Sequence, residues 1–259
     1  MACKIIADDY GMSIEINNAI SELVSKNIVS KISVMADEAF QYSLADIENA
    51  EKGLHFNLLS YEKKASINQR KNISPLKFLC FLYTKKIETD QIVDILNKQF
   101  NILVSKGFKI SSFDTHQHIH IIPKLLKIII MFTKTKRINS IRCITMKKKH
   151  LLFYVNCLRR FGFSTQIPKM ILLYSAGAFM KLKLDKARIN YCRNLVLMPL
   201  ATGGDYSGLL KEILNRFNDE DAEIVTHPGL ECKKIESDNY TAGRYIEYFS
   251  LLNLIGQNG

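Results

Sequence analysis

The chain has 259 residues, of which 47% are hydrophobic and 24% charged, and its formal net charge is +11 at pH 7. This composition excludes disordered, collagen-like and coiled-coil proteins and fits one large α/β domain. The six cysteines form no Cys-x-x-Cys pair, which argues against a disulfide framework or zinc ribbon and favours the cytoplasm. We expect no signal peptide and no transmembrane segment, because every apolar run is short or interrupted.

The basic residues are spread over the whole chain, with the densest cluster at residues 147–149. No nucleic-acid-binding motif accompanies them, so a solvated basic face is favoured over a nucleic-acid groove. An anionic substrate or a nearby anionic membrane would also suit this charge, and the sequence does not choose between the two. We therefore expect no nucleic-acid partner.

Short β-rich runs alternate with longer helical stretches along the chain. Helical spacing indicates helices at residues 16–24 behind an N-cap at Ser13, then at 40–52, 92–103, 151–161 and 207–217, and from Pro123 onward. Residues 60–75 are polar and predict a loop on the rim of the fold. Strands are predicted at residues 3–7, 29–35, 54–58, 110–114, 140–145, 194–199 and 222–226.

This alternation predicts a parallel sheet built from βα units, in the form of a (β/α) barrel that is distorted or has fewer than eight strands. No internal repeat or linker interrupts it, so residues 1–259 are expected to form a single domain. The acidic and histidine-bearing motifs fall near the carboxyl ends of predicted strands. In a barrel these ends meet on one face, so residues far apart in sequence are expected to share a site.

Asp8 and Asp9 follow the first predicted strand. One carboxylate of such a pair can bind a cation while the other accepts a proton, and the residues alone do not say which does which. The alternative is an ordinary loop before a helix. In an extended segment, His116, His118 and His120 would share one face, and metal coordination by one or two of them is favoured over a solvated edge.

His55 and His227 are weaker signals when each is taken alone. Apolar residues flank His55, so a hydrogen-bonded core histidine is a strong alternative to a metal ligand. His227 precedes Pro228 and Gly229, so a plain turn is equally consistent with its position.

Together, the motifs resemble the YdjC-like carbohydrate deacetylase family, which includes chitooligosaccharide deacetylases. The likeness rests on their joint order over nearly the whole chain. The matching segments are Ala-Asp-Asp-Tyr-Gly at 7–11 with Ser13 and Asn17, Gly-Leu-His-Phe-Asn-Leu at 53–58, Asp-Thr-His-Gln-His-Ile-His at 114–120 with Pro123, and Thr-His-Pro-Gly at 226–229.

The resemblance implies a barrel-like fold and one divalent metal ion held by Asp9, His55 and His116. It leaves Asp8 as the general base and His227 as a candidate proton donor. It also implies that His118 and His120 lie behind the ligands or in the substrate groove, and that Arg142 orients a carboxylate or the acyl oxygen. The family suggests magnesium, whereas imidazole ligands favour zinc, and both remain open.

The resulting hypothesis is a metal-dependent deacetylase that hydrolyses the N-acetyl group of an amino sugar, whether a monosaccharide, an oligosaccharide or a glycoconjugate. One alternative is a metal-dependent phosphoesterase, although the chain lacks the many carboxylates of a two-metal site. Another is a non-catalytic barrel that binds glycan or nucleic acid through its basic surface. The oligomeric state, including a homo-oligomer, cannot be read from the residues.

Overall fold

The computed structural model describes residues 3–36, 47–59, 74–84, 87–230 and 240–254. The strands within them all pair in parallel and belong to one sheet. In chain order these strands are β1 (Lys4–Tyr10), β2 (Lys31–Val34), β3 (Glu51–Phe56), β4 (Ile110–Thr115), β5 (Ser140–Ile141), β6 (Leu195–Leu197) and β7 (Glu223–Thr226). Their order across the sheet is β5-β4-β3-β2-β1-β7-β6, which places β1 near the middle.

The sheet curls into a half-barrel whose two edges are β5 and β6. A few backbone hydrogen bonds connect the chain at these edges: Ile141 N–H donates to Asn190 at 3.0 Å, and Leu195 N–H donates to Thr145 at 2.8 Å. Within the described ranges the barrel has seven strands and is open and incomplete, which confirms the expectation of a barrel-like α/β fold.

Helices flank the sheet and connect its strands. Ser13 begins the first of them, because its hydroxyl accepts the backbone N–H of Ile16 at 3.2 Å. Pro123 opens another, as the sequence predicts. The described helices are α1 (Ile14–Ser25), α2 (Pro75–Tyr83), α3 (Thr89–Ser105), α4 (Pro123–Thr135), α5 (Lys148–Arg160), α6 (Ile167–Ala187), α7 (Tyr206–Phe217) and α8 (Thr241–Leu252).

The core consists of apolar side chains from the strands and from the inner faces of these helices. β7 is typical, because Ile224 and Val225 are adjacent and both have 0% exposure. A strand with both faces covered has to be apolar on both, which explains the continuous apolar runs in the sequence. No helix in the described ranges has both the length and the apolar character required to cross a bilayer.

Several sequence predictions differ from the structure. Most of the helix predicted at 40–52 and of the loop predicted at 60–75 lies outside the described residues, but Glu51 and Lys52 begin β3 and Pro75 begins α2. The first strand continues three residues beyond Ala7, and β5 ends at Ile141 rather than at residue 145. Helices α2, α6 and α8 were not predicted.

Candidate active site

Asp8 and Asp9 face the same pocket because β1 contains a bulge. The register of β1 against β2 slips by one residue between Ala7 and Tyr10. Asp9 adopts φ +70°, in the left-handed region that side chains other than glycine rarely occupy. The two carboxylates thus turn toward one cavity inside the strand, at Asp9.

Asp9 lies at the centre of a cluster of three donor atoms. Its Oδ1 is 3.2 Å from Nε2 of His55 and 3.2 Å from Nδ1 of His116, and the three atoms lie within 4.8 Å of one another. His55 comes from β3, and His116 follows directly after β4. The structure thus brings together the three residues that the resemblance names as ligands. Two imidazole nitrogens and one carboxylate oxygen suit a divalent cation and leave coordination positions open.

Asp114 fixes the orientation of His55. Its Oδ1 contacts Nδ1 of the imidazole, and its Oδ2 accepts a hydrogen bond from the Ser33 hydroxyl at 2.8 Å. When Nδ1 donates to a carboxylate, Nε2 is left to face a metal, which is the usual arrangement of metal-binding histidines. The donor set and its support therefore fit a metal ion. Asp114 thus gives the buried His55 a charged hydrogen-bond partner among its apolar neighbours.

Arg142 follows β5 and binds both carboxylate oxygens of Asp8. Nη1 lies 2.6 Å from Oδ2, and Nη2 lies 2.7 Å from Oδ1. Nη2 also reaches Asp114 at 3.1 Å. Asp8, His55 and Asp114 form a second cluster that is compact enough for a cation, but Arg142 already neutralises both of its carboxylates. The resemblance implies that Arg142 orients either a carboxylate or the acyl oxygen. In the structure it contacts a carboxylate, that of Asp8.

His227 lines the pocket directly after β7, the strand that pairs with β1. Its Nε2 is 3.9 Å from Oδ2 of Asp8, and its Nδ1 is 3.9 Å from Oε1 of Glu247. Neither distance is a hydrogen bond, and Nδ1 is buried without a hydrogen-bond partner among the described residues. The imidazole therefore stands between two carboxylates and faces the same space as Asp8.

Glu247, in α8, was not predicted from the sequence. Its side chain has 0% exposure. Oε2 accepts the backbone N–H of His227 at 2.7 Å and the hydroxyl of Tyr206 at 2.7 Å, while Oε1 accepts the hydroxyl of Tyr240 at 2.9 Å. These bonds fix the loop that carries His227 against α7 and α8.

Arg244 is the second residue of α8 that the sequence analysis missed. It is 3% exposed and lines the pocket, and its Nη2 donates to Oδ2 of Asp9 at 2.6 Å. The two oxygens of Asp9 therefore have different neighbours, with histidines beside Oδ1 and a guanidinium beside Oδ2. A lone arginine and a lone glutamate in an amphipathic helix give no signal of this role in the sequence.

The histidine run is not extended, contrary to the prediction. His116–Ile121 forms a 3₁₀ segment in which Gln117 and His118 have φ of +53° and +57°. The three imidazoles therefore do not share one face. His118 lines the pocket, whereas His120 is packed below it with Nδ1 2.7 Å from the Thr115 hydroxyl.

These side chains surround a cavity of about 350 Å³. Asp8, Asp9, His55, His116 and His227 all line it. The cavity falls in the usual size range for small-ligand sites. The residues nominated from four separated motifs therefore meet on one face of the sheet, as expected for the carboxyl ends of parallel strands.

Each buried aspartate of the site has a positively charged neighbour, and His55 has negatively charged ones. These neighbours shift the pKa values of Asp8, Asp9 and His55. Burial disfavours charged Asp8, but Arg142 and His55 outweigh it and lower the pKa of this carboxyl. For Asp9, Arg244 and His116 likewise overcome burial and hold the pKa well below its usual value. For His55, Asp114 and Asp8 outweigh burial and raise the pKa to about 10.

The neighbouring histidines behave in the opposite way. Burial lowers the pKa of His118 well below 6.5, and the proximity of His120 and Arg142 adds to this effect. Burial also lowers the pKa of His120, to about 3. Both imidazoles are therefore neutral at physiological pH, and neither can serve as a cationic proton donor there.

Comparison with known proteins agrees with this architecture. The profile of the family described as YdjC-like protein matches residues 4–253. A search of functionally curated proteins gave no match. Among solved structures, a candidate cellobiose-phosphate cleavage protein from Enterococcus faecalis V583 superimposes with a TM-score of 0.63 at 14% identity, covering 96% of this chain and 89% of that one. That identity supports the fold alone. Because the profile spans nearly the whole chain, the protein belongs to the YdjC-like family, and its family and fold indicate a carbohydrate-processing hydrolase.

Proposed function

We propose that the protein is a metal-dependent deacetylase that removes the N-acetyl group from an acetylated amino sugar, with the chain acting as one domain. The observation that supports this most is the arrangement around one cavity. The cavity is lined by a donor set for a single cation, by the carboxylate of Asp8 that Arg142 binds, and by the imidazole of His227. Hydrolysis of an amide requires these three elements: activation of the carbonyl, a base for water and an acid for the amine.

The proposed metal site consists of Asp9, His55 and His116. A divalent ion bound there would polarise the acyl carbonyl and make water more acidic. Asp114 keeps Nε2 of His55 directed at this site. Nitrogen donors favour zinc or a similar transition ion, while the family resemblance suggests magnesium, so the identity of the ion is left to experiment.

Asp8 is the proposed general base. Its pKa is lowered, so the carboxylate is ionised at neutral pH and ready to accept a proton. Although Arg142 engages both oxygens, each oxygen retains a lone pair for the hydrogen of an attacking water. Arg142 also prevents the carboxylate from turning away toward the metal site.

His227 is the proposed general acid. Its imidazole lines the cavity and its Nε2 lies 3.9 Å from Asp8, so the amine nitrogen of a bound amide can reach it. Water adds to the carbonyl carbon as Asp8 takes its proton. The C–N bond then breaks as His227 protonates the nitrogen, which gives acetate and a free amine.

The test is the release of acetate from N-acetylated monosaccharides, oligosaccharides and nucleotide sugars by purified protein. The assay is run after chelation and again after Mg²⁺ or Zn²⁺ is added back. We expect acetate only in the presence of metal. Absence of acetate with every substrate and metal would contradict the proposal, and release of phosphate from phosphate esters would favour the phosphoesterase alternative instead.

A further inference from the structure

Helix α6 is apolar on two opposite faces. One face packs into the core and includes Met170, Met180 and Leu184, which are 2% exposed or less. The other face is exposed to solvent, yet it carries large apolar side chains at helical spacing. They are Ile171, Leu172, Phe179 and Leu182, with exposures of 50%, 69%, 41% and 65%. At about 100° per residue these four side chains form one stripe that points away from the core.

This stripe (Ile171, Leu172, Phe179 and Leu182) is too regular to be scattered surface hydrophobicity. Single exposed apolar residues need no explanation, but four large ones on the same side of one helix mark a surface that contacts something else. The two apolar faces also explain why helical spacing did not reveal α6 in the sequence.

Basic side chains border the stripe. Lys169, Lys183 and Lys186 are all exposed, and the ammonium of Lys183 lies 5.1 Å from the ring centroid of Phe179. The one acidic residue of the helix, Asp185, is occupied by Lys181 at 2.9 Å and by the hydroxyl of Tyr191. The face thus combines bulky apolar side chains with net positive charge, in a protein whose net charge is +11.

We propose that this face of α6 docks on an anionic lipid surface. Apolar side chains flanked by lysines bind in the headgroup region, where the apolar groups enter the acyl boundary and the lysines meet anionic headgroups. The opposite face of the helix stays packed in the core, so the contact reaches only as deep as the exposed side chains. A second copy of the chain is disfavoured as the partner, because it would bring the same positive charge to the interface.

The helix that carries the stripe also contributes to the cavity of the candidate active site. Lys169 and Leu173, in the first turns of α6, line that cavity. A protein held by α6 therefore brings Lys169, which lines the cavity, close to the lipid headgroups. This inference is independent of the reaction catalysed, since binding to vesicles can be measured without any substrate.

The experiment is co-sedimentation of the full chain with phosphatidylcholine vesicles, with or without phosphatidylglycerol. We expect binding only to the anionic vesicles and loss of binding in about 1 M salt, where the Debye length is about 3 Å. The double variants Leu172→Ser/Leu182→Ser and Lys183→Glu/Lys186→Glu should each bind about tenfold more weakly or worse. Circular dichroism and thermal denaturation establish that the variants are folded.

Two matched controls remove the same kinds of group elsewhere on the surface. Val104→Ser/Leu152→Ser deletes two exposed apolar side chains, and Lys106→Glu/Lys109→Glu reverses two exposed charges. Both should bind like the unaltered protein. Equal binding to neutral vesicles, equal losses in the controls, or no binding at all would overturn the proposal. A dimer that the Leu172→Ser/Leu182→Ser variant dissociates would assign the face to a second copy and would overturn it as well.

Discussion

The guanidinium of Arg142 donates hydrogen bonds to both carboxylate oxygens of Asp8, from Nη1 at 2.6 Å and from Nη2 at 2.7 Å, although the two residues are 134 positions apart in the sequence. Both side chains are buried, with exposures of 3% and 1%. Such a pair is costly to break, because either partner alone would be a buried charge without compensation. The contact ties the end of β1 to the end of β5 and fixes the carboxylate that we propose as the base.

The first prediction separates the two adjacent aspartates. Asp8→Asn keeps the shape of the side chain but removes its basicity, so activity should fall by about 10² to 10⁴ while the metal remains bound. Asp9→Asn should instead weaken metal binding, since an amide oxygen is a poor ligand for a divalent ion. Elemental analysis and acetate release on both variants test this. Loss of metal in Asp8→Asn with retention in Asp9→Asn would reverse the two roles.

The second prediction concerns Arg142. Arg142→Lys keeps a positive charge but cannot make the bidentate contact, so the pKa of Asp8 should rise toward its usual value. A higher pKa of the base moves the acidic limb of the kcat profile to higher pH. Arg142→Met should also lower the free energy of unfolding by about 3 to 5 kcal/mol. An acidic limb that stays in place in Arg142→Lys would show that Asp8 is not the group that titrates.

The third prediction follows from the pKa of His55, which is raised from 6.5 to about 10 without metal. Stability contributed by the charged imidazole is complete below pH 6.5 and is lost as the pH rises through about 10. Metal-free protein should therefore become less stable between pH 7 and 10, as measured by thermal denaturation. Metal binding has to release this proton, so the apparent affinity should rise with pH, by up to about tenfold per unit.

Calorimetry in buffers of different protonation enthalpy counts the released proton. His150→Gln is a suitable control, because His150 pairs with Glu220 at 3.0 Å and does not line the cavity. This variant should retain the pH dependence of metal binding. Affinity that is independent of pH in the unaltered protein would contradict a charged His55 in the metal-free state.

The fourth prediction compares two histidines of one short segment. His116→Ala should lower both metal content and activity, since its Nδ1 lies 3.2 Å from Asp9. His118→Ala should keep the metal and alter mainly KM, because its imidazole lines the cavity but lies outside the donor cluster. Metal content measured after dialysis distinguishes the two variants. Equal metal loss in both would place His118 in the donor set.

The fifth prediction is that Glu247 positions His227. Glu247→Gln keeps the size of the side chain and one acceptor oxygen but removes the charge 3.9 Å from Nδ1 of His227. We expect kcat to fall while KM changes little, because a neutral acceptor holds the backbone N–H of His227 less firmly than a carboxylate does. Tyr248→Phe in the same helix loses only a hydrogen bond to Glu22 and should leave these parameters unchanged. An unchanged kcat in Glu247→Gln would contradict the positioning role, and kcat and KM that change together would indicate a purely structural one.

The strands were predictable from the sequence because buried parallel strands are continuous apolar runs, as in β7. The convergence of Asp9, His55 and His116 was predictable for a related reason, since each lies at or near the carboxyl end of a strand. Helix α6 was not, because its second apolar face removes the 3.6-residue contrast on which helix prediction depends.

Other parts of the site depend on tertiary contacts that no local pattern carries. The bulge at Asp9 requires a positive φ that nothing in the sequence around it demands. Arg244 and Glu247 look like ordinary surface charges of a helix, and only the partners that they meet reveal their roles. The same holds for the histidine run, where the positive φ of Gln117 and His118 produces a tight turn. The alternation of side chains expected for an extended segment is lost there.

The contact between Arg244 and Asp9 has a consequence for the order of assembly. The guanidinium supplies a built-in counterion 2.6 Å from the carboxylate, so the acidic centre is neutralised before any cation arrives. With this counterion in place, the buried charge of Asp9 is compensated in the folded chain without a metal ion. A metal ion at the proposed site would therefore bind to the folded protein, in contrast to small zinc domains, which remain unfolded until the ion binds.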